Sequence, residues 1–291
     1  MFDQEKLLTI GIATYDDFDG VYFTLQALRM YHPICRTSKV EIIVVDNNPS
    51  SAHGKAVARF AKNWVKATYI PCETKKSTAI RNLVFENAKG KYVLCMDCHV
   101  MIEQGGIDAL LKYYQENPDT NNLVQGPLWY DDLTNMSTHF QPVWRDHMFG
   151  IWGTDKKQYE TQQPFEIPMQ GLGLFSCAKQ HWPGFNCAFT GFGGEEGYIH
   201  EKIRQRGGKC VCLPTLKWIH RFDRPDGIKY PLSLEDRVWN YYIGWLELTD
   251  DPNDERVTAI TRHFTDSLGP VKVRDILAKA VTHHNEHRNS R

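Results

Sequence analysis

The sequence predicts an α/β protein with a mostly parallel central sheet, helices on both faces and a helical C-terminal extension. Three observations carry that expectation. Short apolar runs alternate with stretches of helical periodicity over the first 118 residues. The runs are apolar almost throughout, which suits strands covered on both faces. Several stop at an aspartate followed by turn formers, and sheets of this kind bind ligands beyond the carboxyl ends of their strands.

The elements follow in order. LLTIGIATY, from Leu7, is a strand rich in β-branched residues that ends at Asp16-Asp17. Val21, Leu25 and Leu28 then lie at helical spacing, and Pro33 closes that helix. VEIIVVDNNPSS repeats the strand-carboxylate-turn pattern at Asp46, GKAVARFAKNW is a helix, and KATYIP is a third strand. TKKSTAIRNLVFENAKG reads as a helix stopped by Gly90. KYVLCMDCHVMIE supplies the fourth strand, breaking at Asp97-Cys98-His99, and GGIDALLKYYQENP the helix after it. Asp16, Asp46 and Asp97 should therefore converge on one crevice.

From Asn121 to about Pro183 the pattern loosens, with Trp129, Trp144, Trp152 and several prolines predicting long loops and short antiparallel strands. Regularity returns with a glycine-rich loop at Gly191, a helix ended by Gly207-Gly208, and strands through KCVCL and LKWIH. Beyond Pro225 three helices are expected. Ser233 caps the first in a capping box with Asp236 and places Val238, Tyr241, Tyr242 and Trp245 on one face. Pro252 opens the second, with Val257, Ile260 and Phe264 inward, and VKVRDILAKAV forms the third. The polar residues from His283 onward are expected to fray.

Composition narrows the function classes. Net charge is −1, which gives no global attraction to nucleic acid or an anionic membrane. No apolar run reaches membrane-spanning length, and the acidic start MFDQEK is unlike a signal peptide, so a cytoplasmic protein is expected. The eight cysteines lie mostly within apolar runs and read as free, packed thiols.

The chemistry concentrates at strand ends. Asp97 and His99, two residues apart after a strand, can face one crevice and share a divalent metal; mixed oxygen and nitrogen ligands suit Mn²⁺ better than Mg²⁺. Glu195 and Glu196 open a helix, where unpaired amides favour a carboxylate and where capping alone is a sufficient role. His220 ends a strand and can bind a metal, a phosphate or a backbone carbonyl. Trp182 and Trp218 can stack on a sugar ring or pack in the core.

These motifs, in this order, resemble the GT-A (Rossmann-like) nucleotide-sugar glycosyltransferases of the family-2 type, over about residues 7–222. The Asp-x-His motif and the GFGGEE loop are similar to those of the polypeptide N-acetylgalactosaminyltransferases. The resemblance implies a transferase domain over 1–225, with 1–100 binding the nucleotide sugar and 101–225 the acceptor, followed by a helical extension over 226–291. It implies Mn²⁺ (or Mg²⁺) on Asp97, His99 and His220, and a nucleotide-sugar donor, expected to be UDP-linked. Thr14, Tyr15 and Asp46 would surround the base and ribose, and Arg81, Asn82, Gly193 and Gly194 would line the sugar side. Lys75 and Lys76 would either assist at the diphosphate or start a helix in solvent. Glu196 would be the base for the acceptor hydroxyl, with Glu195 contacting sugar or acceptor. Family-2 enzymes that invert the anomeric centre usually carry Glu-Asp there, so Glu-Glu leaves the stereochemistry open. The acceptor would be a glycan, a protein hydroxyl or a hydroxylated nucleic-acid base.

Two other readings compete. Cys95, Cys98, Cys210 and Cys212 form a structural zinc site if their strands adjoin. A nucleotidyltransferase acting on sugar phosphates shares the fold, but it needs a basic, glycine-rich loop where this chain has the acidic GIATYDDFDG.

Overall fold

The computed structural model describes residues 6–63, 67–74, 77–224 and 227–288. Four parallel strands build one half of an eight-stranded sheet: β1 (Leu8–Thr14), β2 (Val40–Asp46), β3 (Ala67–Pro71) and β4 (Tyr92–Asp97). The chain continues through β5 (Val100–Ile102), β6 (Leu123–Gln125), β7 (Leu128–Trp129) and β8 (Met136–Ser137). A hairpin of β9 (His139–Arg145) and β10 (Met148–Gly153) follows, then β11 (Phe165–Glu166), β12 (Leu174–Ala178), β13 (Cys210–Cys212) and β14 (Trp218–His220). The large sheet runs β11-β13-β6-β12-β4-β1-β2-β3. Beyond β4 it turns mixed, because β12 lies antiparallel to both β4 and β6 while β13 is parallel to β6.

The helices are α1 (Phe18–Tyr31), α2 (Ala52–Asn63), α3 (Asn82–Asn87), α4 (Gly106–Glu116), α5 (Lys156–Glu160), α6 (Glu196–Gln205), α7 (Leu234–Thr249), α8 (Glu255–Leu268) and α9 (Pro270–His287). Side-chain alternation along the strands feeds two cores. Ile42, Val44, Leu94 and Met96 pack with α1 and α4, whereas Ile43, Val45, Val93 and Cys95 pack with α3 and with residues of α6 to α9. The C-terminal helices thus share a core with the sheet. The expected boundary at 225–226 falls outside the described residues.

Four local expectations change. The helix predicted up to Gly90 is a 3₁₀ turn at Thr78–Arg81 followed by α3, which ends at Asn87. Gly90 serves instead as a close-approach point, since a Cβ there would lie 2.4 Å from the Thr9 nitrogen. Ser233 does cap α7, but the Asp236 carboxylate bonds Thr190 rather than turning back to Ser233. The second C-terminal helix starts at Glu255, capped by Asp254, not at Pro252. The last residues do not fray at His283: α9 continues to His287, and buried His284 bonds Asp250 at 2.8 Å.

The zinc arrangement fails on topology. Cys210 and Cys212 lie on β13, separated from the Cys95 strand by β6 and β12. Three strand spacings are about 14 Å, far beyond a shared ion. None of the eight cysteines is joined in a disulfide, and Cys187 alone is exposed.

Candidate active site

β4 ends at Asp97, and the turn Cys98-His99 leads directly into β5. β14 pairs antiparallel with β5 and sets His220 opposite Val100. His220 is thereby brought to the corner that Asp97 and His99 share. Asp97 Oδ2 lies 4.0 Å from His99 Nε2 and 3.8 Å from His220 Nε2. Those separations are too long for hydrogen bonds; ligand atoms each about 2.0–2.2 Å from one cation lie about 3.0–3.5 Å apart, so the rings need to close by about 0.5–1 Å to share an ion. His220 Nδ1 is buried with no hydrogen-bond partner among the described residues. One carboxylate oxygen and two imidazole nitrogens make a donor set that fits Mn²⁺.

The surroundings prepare these groups. Asp97 Oδ1 pairs with Arg81 at 2.7 Å. Burial by itself would raise the Asp97 pKa, but Arg81 and then the two histidines hold it well below the usual carboxylate range. Burial depresses the His99 pKa against the pull of Asp17, so the ring is neutral, as a metal ligand must be. Asp17 Oδ2 sits 3.1 Å from His99 Nδ1, and an Nδ1–H donated to it leaves the lone pair on Nε2. Arg224 Nη2 lies 2.7 Å from that nitrogen, so a metal bound there requires the guanidinium to move aside.

Arg81 is buried, and it also approaches Glu195 Oε1 at 3.5 Å. It therefore bridges the Asp97 corner to the acidic loop, rather than standing free for a diphosphate. Thr78 donates to Glu195 Oε1 at 2.9 Å. Glu196, half-buried at the start of α6, carries a pKa raised by burial and then by its neighbour Glu195, with Arg237 opposing.

Two adjoining cavities share this wall. The first is lined by Thr14, Tyr15, Asp17, Asn47, Arg81, Asp97 and His99 among others. The second holds Gly193, Gly194, Glu195, Glu196 and His220, with Phe140, Trp152, Phe222 and Leu232 across from them. Arg81, Asp97, Phe192, Arg224 and Tyr230 border both.

Several predicted residues are placed elsewhere. Asp46 does not line the first cavity: it is fully buried, accepting from Tyr69 Oη at 2.8 Å and Asn48 N at 2.9 Å. Asp16 accepts from Asn48 Nδ2 at 3.0 Å. In each case the following residue, Asn47 or Asp17, lines the cavity: Asn47 stands just past the end of β2, and Asp16 takes a left-handed conformation (φ +51°) that turns the chain beyond β1. Asn82 is structural, accepting from Trp182 Nε1 and Phe185 N and donating to the Phe185 carbonyl. Trp182 stacks on Phe85 at 4.1 Å in the core. Trp218 borders the second cavity but is only 1% exposed, and it donates to the Gly126 carbonyl. Lys75 and Lys76 lie outside the described residues. Asp17, Asn47, Arg224 and Tyr230 escaped the sequence reading; for the first two the signal was present, one position past the carboxylate chosen.

A model described as glycosyl transferase family 2 matches residues 9–181. The chain belongs to glycosyl transferase family 2. A curated relative, glycosyltransferase GlyA of Streptococcus pneumoniae serotype 4, is 24% identical over 233 residues, covering 76% of this chain and 30% of that protein. Among solved structures, GalNAc-T7 with UDP, GalNAc and Mn²⁺ superposes with a TM-score of 0.64 at 15% identity, over 89% of this chain and 54% of that one. Mannosyltransferase PcManGT from Pyrobaculum calidifontis, in complex with GDP-Man and Mn²⁺, gives 0.55 at 14% identity over 96% and 75%. TarS of S. aureus in complex with UDP-GlcNAc gives 0.55 at 12% identity over 96% and 72%. At such identities these likenesses establish a common GT-A fold. The chain spans less than a third of the curated relative and about half of the first structure. Among the described residues of this family-2 protein, no helix is long and apolar enough to cross a membrane.

Proposed function

We propose that this protein transfers a sugar from a nucleotide diphosphate sugar, with uridine diphosphate as the carrier, to a hydroxyl acceptor in a metal-dependent reaction. The observation that carries the reading is the convergence of Asp97 Oδ2, His99 Nε2 and His220 Nε2, beyond hydrogen-bond range of the carboxylate and a small closure away from sharing one cation. UDP complexes among the structural relatives support the choice of base, and Mn²⁺ beside donor nucleotides in two of them supports the metal. When bound, Mn²⁺ would stabilise the charge on the departing diphosphate.

The chain's own residues divide the remaining work. Asn47 Oδ1 is buried in the first cavity with no hydrogen-bond partner among the described residues, and Thr14 Oγ1 lies buried there beside the Cys98 thiol, so both would receive hydrogen bonds from the base and ribose. Tyr15 and Phe192, edge to face at 6.2 Å, would close over the nucleotide. In the second cavity Glu196 would take the acceptor proton, while Glu195, held by Thr78 and Arg81, would fix the loop beside the sugar. Glycan, protein hydroxyl and hydroxylated base all remain chemically suitable acceptors. The wall of Phe140, Trp152 and Phe222 favours a glycan, whose rings present C–H faces to aromatic surfaces.

The test is a nucleotide-sugar panel with Mn²⁺, scored for donor hydrolysis without an acceptor. A UDP-linked sugar should be cleaved, and His99→Ala should abolish that cleavage. If no donor is hydrolysed and UDP with Mn²⁺ does not bind, the reading is wrong.

A further inference from the structure

Asp236, Arg237, Asn240 and Tyr241 lie on one face of α7, at i, i+1, i+4 and i+5. That face grips both walls of the second cavity. Asn240 is 0% exposed and commits its entire amide to the acidic loop. Its Oδ1 accepts from Thr190 N at 2.8 Å, and its Nδ2 donates to the carbonyls of Thr190 at 2.7 Å and Gly193 at 2.8 Å. Asp236 accepts from the Thr190 hydroxyl at 3.0 Å. On the opposite wall, Arg237 Nη1 donates to the His147 carbonyl at 3.2 Å, and Tyr241 Oη accepts from Phe149 N at 2.8 Å. The loop is also moulded to this helix. Gly194, at φ +92°, packs so closely that a Cβ would lie 3.0 Å from the Arg237 carbonyl.

A loop this rich in glycine has wide conformational freedom unless something removes it. Glu195 and Glu196 follow that loop directly, so its backbone sets where both carboxylates point. We infer that α7 is the positioning element of the acceptor side, and that Asn240 fixes the register of the Gly191–Glu196 loop, and hence the aim of Glu196, without touching substrate. The inference rests on the base role proposed for Glu196. The family match ends at residue 181, so it assigns nothing to α7 or to the loop.

Asn240→Asp in the full chain is the direct test. It keeps size and the bond to Thr190 N, and it replaces the amide nitrogen that makes both donations by one oxygen facing two carbonyls. Hydrogen exchange of peptides spanning residues 188–196 should accelerate at least about fivefold, with β1 and β4 unchanged. Misplacement by about 1 Å costs on the order of 100-fold. Turnover of the hydrolysed nucleotide sugar should therefore fall about 10-fold to 100-fold, with KM and UDP affinity in Mn²⁺ within about twofold of wild type. Unchanged loop exchange overturns the inference, as does a loosened loop with undiminished kcat. Should Asn240→Asp not fold, Asp236→Ala carries the same test, with about a threefold loss expected and no loss overturning it. A wild-type chain that hydrolyses no donor fails the functional reading itself, a result distinct from either outcome.

Discussion

Asp17 Oδ2 and His99 Nδ1 stand 3.1 Å apart, joining the first helix turn to the metal corner across 82 residues of sequence. The carboxylate is itself held, accepting from Gly20 N through its other oxygen at 2.8 Å. A histidine ligand whose second nitrogen is fixed in this way is pinned in tautomer and orientation. Asp17→Ala should therefore weaken Mn²⁺ binding about 10-fold to 100-fold, read by manganese titration in the presence of UDP. Equal affinity in the variant would show that Asp17 merely caps α1.

Asp97 and Arg81 predict a stability effect separable from catalysis. Removing the carboxylate leaves a guanidinium only 8% exposed with Glu195 as its remaining acidic neighbour. Breaking a buried pair from one side costs about 3–5 kcal/mol. Asp97 is itself about a fifth exposed, so the lower end, about 3 kcal/mol, is expected for Asp97→Ala in metal-free denaturant unfolding. The pKa of Asp97 is depressed by Arg81. Its contribution is thus present above the unfolded carboxylate pKa and lost as pH falls through the folded one.

Glu196 predicts a pH profile. Its carboxyl is pushed up to about 8, by burial first and Glu195 second. A base works only when ionised, so transfer should rise with pH from the ordinary carboxylate range up to about 8 and then level. Glu196→Gln should lower transfer about 100-fold to 10,000-fold while UDP binding persists. A profile already flat above pH 5 in the wild type would remove Glu196 from the role of base.

His200, whose Nδ1 lies 2.6 Å from the Glu196 carbonyl, predicts an acid sensitivity of the fold behind the site. It is 0% exposed, its Nε2 shared between Gln125 and Gln170 N, and burial pushes its pKa down to about 3. Between that value and the unfolded histidine pKa, the unfolded state binds the extra proton. Stability should accordingly fall with acidification, by about 1.4 kcal/mol per pH unit from this residue below roughly pH 6. His200→Gln should flatten that slope in urea unfolding measured from pH 7 to pH 4.

The sequence by itself determined the alternating architecture and the strand ends, and it singled out Asp97, His99 and His220 as the candidate metal residues. Continuous apolar runs, helical spacing and chain-terminating carboxylates are local signals, and each was written into neighbouring residues. It also placed Glu195 and Glu196 at a helix start behind a loop of glycines, three of which do adopt positive φ. What it missed by one position, at Asp16 for Asp17 and Asp46 for Asn47, is how the chain turns just past a strand's end, which composition does not register. Only the tertiary structure decided that Arg81 is already shared by two carboxylates, that Asn82 and Trp182 belong to the core, and that Asn240 holds the acidic loop. Those contacts span 16 to 114 residues of chain. A side chain's partner at that range is set by how strands and helices pack, which no local spacing encodes.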